Sequence, residues 1–177
     1  LKQHDAAIEA LVMGRDLVVD NPPLATQFWS SLGDAYNEAG QYAESDKAYD
    51  KVLVAEPDNI ATLNNYAYYL SLRGDQLEKA ERMSKRSNEL APGQATYQDT
   101  YAWVLFRMGK HADAKLWMEK ALAGSPDPDG VLLEHYGDIL FELGDATGAK
   151  EQWTKAKARG GASDLIDRKI NEGRRVE

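Results

Sequence analysis

From residue 29 onward one pattern recurs every 34 or 35 residues, and nothing else in the chain constrains its fold as tightly. Small residues fall at Gly33, Ala67, Ala102 and Gly137, and turn glycines at Gly40, Gly74, Gly109 and Gly144. Prolines follow at Pro57, Pro92 and Pro126. Self-similarity at this period marks units that each consist of a helix pair unable to bury its apolar face alone, so that neighbouring units must stack. The stack leaves one continuous surface, which favours binding over catalysis.

Within the first unit, Trp29, Leu32, Gly33 and Tyr36 fall at i, i+3, i+4 and i+7, one face of a helix starting near Thr26. Gly40 ends that helix as a residue free to take positive φ. A second helix is expected from Tyr42 to Ala55, with Tyr49, Val52 and Leu53 inward. After Pro57, Asp58 and Asn59 supply turn and capping chemistry for the next helix.

These residues resemble the tetratricopeptide repeat, whose W-x₂-L-G-x₂-Y pattern is complete in Trp29, Leu32, Gly33 and Tyr36. Its later part follows as Ser45, where Ala is usual, Tyr49 and Pro57. The second unit reads Leu63, Tyr66, Ala67, Leu70, Ala80, Ser84 and Pro92, with one extra residue between Gly74 and Ala80. The third reads Gln98, Tyr101, Ala102, Leu105, Ala114, Met118 and Pro126, and the fourth Leu133, Tyr136, Gly137, Leu140, Ala149 and Trp153. Stretches such as 64–70 and 101–109 are similar to bacterial members in particular.

The resemblance implies an all-α fold, a right-handed superhelical solenoid of antiparallel helix pairs in a single domain over 1–177. About four repeats are expected, at 26–59, 60–94, 95–129 and 130–159. A half repeat at 5–19 precedes them, with Ala7, Ile8, Leu11 and Gly14 in second-helix slots. A capping helix at 163–173 follows, started by Ser163 and carrying Leu165, Ile166 and Ile170 on its apolar edge. Leu1 opens the chain partway through a unit, which predicts a segment of a longer protein. Apolar residues left exposed on the half repeat predict self-association as a secondary property.

The chain lacks cysteine, so thiolate metal sites and disulfides are excluded. No run reaches the ~20 apolar residues that a bilayer span requires, so no direct membrane insertion is expected. Charge is split: residues 1–149 hold 13 Lys/Arg against 24 Asp/Glu, and residues 150–177 hold 8 against 5. An acidic body argues against nucleic acid, which needs a basic stripe. The basic C-terminal stretch reads as a solvated helix. Compartment stays open, bacterial cytoplasm and envelope both being compatible.

No catalytic, cofactor-binding or metal-ligating set emerges, since P-loop, H-E-x-x-H and nucleophile-elbow motifs are missing. His4 and His111 share a helix-start slot, and His135 stands beside Glu134 and Asp138. The resemblance implies that ligands lie along the concave face of the first helices, opposite the core slots. That face carries Asn64, Tyr68, Asp99, Trp103, Phe106, Arg107, Asp138 and Phe141. Aromatic rings among carboxylates predict a protein or peptide partner with apolar anchors and neutral-to-basic character. Trp29, Gly33, Tyr36, Ala67, Ala102 and Gly137 are assigned to packing. The chain is thus expected to be a non-catalytic interaction scaffold, or a spacer within a larger assembly.

Overall fold

The structure of the protein, a computed structural model, describes residues 2–176, with side chains from Asp5 to Val176. Among the described residues there are ten α-helices and no strand. In chain order they are α1 (Lys2–Leu17), α2 (Pro22–Glu38), α3 (Tyr42–Ala55), α4 (Ile60–Arg73) and α5 (Leu77–Leu90). Then come α6 (Ala95–Arg107), α7 (His111–Gly124), α8 (Gly130–Glu142), α9 (Ala146–Arg159) and α10 (Ile166–Glu172). The architecture is an all-α helical repeat solenoid.

Local chemistry sets the helix ends. The Asn59 side chain accepts from Thr62 N and starts α4, and Asp129 and Asp145 do the same for α8 and α9. The first helix of this unit, α2, opens at Pro22, about one turn before Thr26. Asn21 caps α2 through Leu24 N, and two prolines occupy its first positions, where a missing N–H costs nothing. Between Gly74 and Ala80 the extra residue is absorbed at Gln76, the only described non-glycine residue with positive φ (+46°).

The strongest packing is within the pairs α2–α3, α4–α5, α6–α7 and α8–α9. It depends on the small residues of the repeat. A Cβ built on Gly33 would lie 2.5 Å from the Tyr49 ring, and one on Gly137 would lie 2.5 Å from the Trp153 ring. Ala67 and Ala102 are fully enclosed in the corresponding contacts. Tyr49, Tyr66, Met118 and Trp153 fill the core beside them. Trp29 is half-buried, with the Arg15 guanidinium 4.6 Å from its ring centroid, and Tyr36 is half-buried.

Between units, α4 contacts α2 and α6, and α6 contacts α8, while the outer helices α3, α5, α7 and α9 stay further from one another. The stack therefore curves toward α2, α4, α6 and α8. Ion pairs Lys79–Asp50, Arg86–Asp58 and Lys110–Glu81 tie successive units on the outer side. Solvent screens each of these pairs, so they favour register more than they create stability.

At the N-terminal end α1 packs on α2, with Gly14 against Phe28. Ile8 and Leu11 are half-buried, and the exposed apolar residues are Met13, Leu17 and Val19. The side chain of His4 lies outside the described residues, while His111 opens α7 with its ring 5.3 Å from Phe106. At the other end α10 begins at Ile166, and Ser163 does not act as its cap residue in the expected way. Its hydroxyl donates to Glu134 at 2.6 Å instead, and Leu165 N reaches Ser163 Oγ at 3.3 Å.

Candidate functional site

The inner face is built by the sides of α4, α6 and α8 that point away from their outer partners. One helical stripe on α4 brings Asn64, Tyr68 and Leu72 to this face. A matching stripe on α6 brings Asp99, Trp103 and Arg107. Two cavities of about 530 and 350 Å³ adjoin here and share Tyr68 and Val131. Tyr68 is half-buried, and burial together with nearby Asp99 pushes its hydroxyl up to about 12. The smaller cavity is the more polar of the two, with Asn64, Asn65, Thr96, Asp99 and Asp129 in its lining. The larger is floored by Tyr68, Leu72 and Trp103, with Arg107 at its side.

The aromatic expectation needs correction for two of its rings. Trp103 is 8% exposed and Phe106 only 3%, so neither stands free as an anchor. Trp103 stacks on the His135 ring at 4.0 Å between centroids and on Phe106 at 4.8 Å. Each ring is covered by neighbours: His135 of α8 lies on Trp103, while Trp103, His111 and the Arg175 guanidinium surround Phe106. Trp103 still contributes ring surface to the larger cavity, whereas Phe106 does not line either one. Phe141 is half-buried and tilts against Trp153 at 5.9 Å between centroids.

Several polar candidates are committed to neighbours. Asn64 is buried and donates to Asn65 at 3.3 Å. Asp99 pairs with His135 Nδ1 at 2.9 Å, one unit further along the chain. Burial alone would push the imidazole down; the carboxylates of Asp99, Asp138 and Glu134 outweigh it and hold the pKa above its ordinary value. Arg107 is half-buried and donates to the Leu72 carbonyl at 3.1 Å.

Asp138, expected to face a ligand, is 3% exposed and belongs to an internal ionic cluster. Lys169 of α10, itself 4% exposed, donates to Asp138 at 2.7 and 2.8 Å and to Glu134 at 2.7 Å. Asp138 also accepts from Trp153 Nε1 at 2.9 Å, and Glu134 from the Ser163 backbone N–H at 2.7 Å. Burial pushes Glu134 up, but the Lys169 and Ser163 hydrogen bonds outweigh it and hold the carboxyl below its usual range. Asp138 is raised, burial exceeding the pull of the same ammonium.

The basic C-terminal stretch is therefore not simply a solvated helix. Its lysine closes the acidic end of the inner face. Ile166, Lys169 and Ile170 lie at i, i+3 and i+4, and that spacing placed the lysine on the apolar edge all along.

Residues 26–59 match the family model described as tetratricopeptide repeat. A TPR repeat-containing protein of Pseudomonas aeruginosa is 30% identical over 109 residues, which are 62% of this chain and 18% of that protein. The chain thus spans less than a fifth of the length of this curated relative. Among solved structures, a tetratricopeptide repeat protein from Parabacteroides merdae is 21% identical with a TM-score of 0.78, over 98% of this chain and 65% of that one. A thermophilic TPR protein of Thermus thermophilus is 16% identical with a TM-score of 0.74, over 98% of this chain and 91% of that one. At such identities the likeness to solved structures speaks for the fold alone.

Proposed function

The chain belongs to the tetratricopeptide-repeat family, and from that premise we propose that the inner face between α4, α6 and α8 holds a segment of a partner protein. The fold is that of a protein–protein interaction scaffold, and members of this family are generally non-enzymatic. No described helix is long and apolar enough to cross a membrane.

The observation that carries this reading is the pair of adjoining cavities with Tyr68 between them. An extended or helical segment lying across Tyr68 would set apolar groups on Tyr68, Leu72 and Trp103. Its polar or basic groups would lie toward Asn64 and Asp99. Partner character is accordingly apolar and neutral to basic, through Tyr68 and its surroundings instead of through Phe106. A photoreactive phenylalanine analogue at Tyr68 tests this. We expect crosslinks to another protein in a native extract from Tyr68, and none from the same analogue at Leu116 on the outer helix α7. Equal yields at both positions would mean the wrong surface was chosen.

Self-association is the second reading, and it rests on exposed Met13 (62%), Leu17 (85%) and Val19 (76%) at the N-terminal end. Sedimentation over a concentration series tests it, and a Met13→Ser, Leu17→Ser variant should shift any oligomer to monomer. A monomer at all concentrations would end this reading.

A further inference from the structure

The C-terminal end of the inner face already has an occupant. Gly173 takes φ +63° and turns the chain back after α10. Arg174 faces solvent and pairs with Glu172. Arg175 donates to Glu142 at 2.9 Å, and its guanidinium lies 5.0 Å from the Phe106 ring centroid. Val176 is 8% exposed and joins Trp103 and Arg107 in lining the larger cavity. One residue offers a cation to an acidic rim, and the next offers aliphatic surface to an aromatic floor.

We infer that Arg175 and Val176 are a displaceable occupant of this face, and that the partner segment taking their place carries a basic residue followed by an aliphatic one. The inference rests on the inner-face reading above and narrows its partner class. The Arg175–Glu142 pair is partly exposed on both sides, 19% and 31%, so an incoming cation can compete for Glu142. The helix before it is held independently, by Ile166 in the core of the last unit and by the buried Lys169 cluster. Residues 173–176 can therefore leave without taking α10 with them. A segment tethered this closely competes at an effective concentration in the ~mM range, which a matching partner must overcome.

The test is a titration with a synthetic peptide of residues 171–176, followed by the indole NMR resonance of Trp103. It compares the wild-type chain with an Arg175→Glu, Val176→Asp variant, and dispersed indole signals check that both are folded. If the double variant is not folded, Arg175→Gln alone replaces it. Releasing residues 173–176 should tighten the apparent Kd by about tenfold or more, and adding Glu142→Gln should weaken it again. Equal Kd values for the two proteins, or no binding to the released variant, would overturn the inference. Such a failure leaves crosslinking at Tyr68 intact, whereas failure of the inner-face reading would show as crosslinks equal to those at Leu116.

Discussion

Lys169 Nζ stands 2.7 Å from Glu134 and 2.7 Å from Asp138, so a single ammonium from the last helix serves two carboxylates one turn apart on α8. All three side chains are less than a tenth exposed. Removing the cation leaves two buried negative charges facing each other, and breaking such a pair from one side costs about 3–5 kcal/mol.

Lys169→Met should accordingly lower the urea midpoint by that equivalent, with the loss concentrated in α9 and α10 by hydrogen exchange. The sign of its pH dependence follows from the carboxyls. Without the ammonium the folded pKa of Glu134 rises, and that of Asp138, already raised by burial, rises further. The deficit relative to wild type must then shrink as pH falls through those raised values. A deficit that stays constant with acidification would mean that the ion cluster is not what holds the cap.

Gly137 is the second test. A methyl group there would meet the Trp153 ring at 2.5 Å, and Trp153 is fully enclosed and tied to Asp138 through its indole N–H. Because the indole is enclosed and held by that hydrogen bond, Gly137→Ala should destabilise by about 1–3 kcal/mol despite its better helix propensity. Gly33→Ala, against Tyr49, should cost a similar amount. The two sites lie in different units, so chemical denaturation of the double variant should return close to the sum.

These small-residue contacts were readable in the sequence because they repeat. Gly33, Ala67, Ala102 and Gly137 recur in phase, as steric demands that each helix pair must meet. The inner face was less legible for a related reason. Helical spacing gives the side on which Trp103 and Phe106 project, but not which neighbours cover them, and those neighbours decide whether they bind or pack. His135 and Asp99 meet across two units, a pairing that neighbours in sequence cannot signal. Lys169 was masked by its company. Among Arg168, Arg174 and Arg175 it looked like one more solvated cation, although its position beside Ile166 and Ile170 set it apart.

Gln76 offers a prediction of the opposite sign. Its φ of +46° and ψ of +43° place an unbranched but bulky residue in the left-handed region, where an L side chain is strained by roughly 1–2 kcal/mol. The side chain makes no capping hydrogen bond. Gln76→Gly removes the strain at the cost of a more flexible unfolded chain. A net gain of about 0.5–1 kcal/mol should appear as a higher thermal midpoint.

His135 provides the last test. Its folded pKa is raised, so the folded state binds the imidazole proton more tightly than the unfolded chain, whose histidine titrates near 6.5. The stabilisation from the charged His135–Asp99 pair is complete below the unfolded pKa and is lost as pH rises through the folded one. Tyr68 and Trp103 flank the ring, and Asp99, Glu134 and Asp138 supply the negative charge around it. Stability of the wild type relative to His135→Gln should therefore be greatest at mildly acidic pH and decline toward alkaline pH. In Asp99→Asn, the imidazole resonances should titrate at lower pH than in wild type, because the carboxylate opposing the burial penalty is gone. An unchanged titration would show that Asp138 and Glu134, not Asp99, hold the proton on His135.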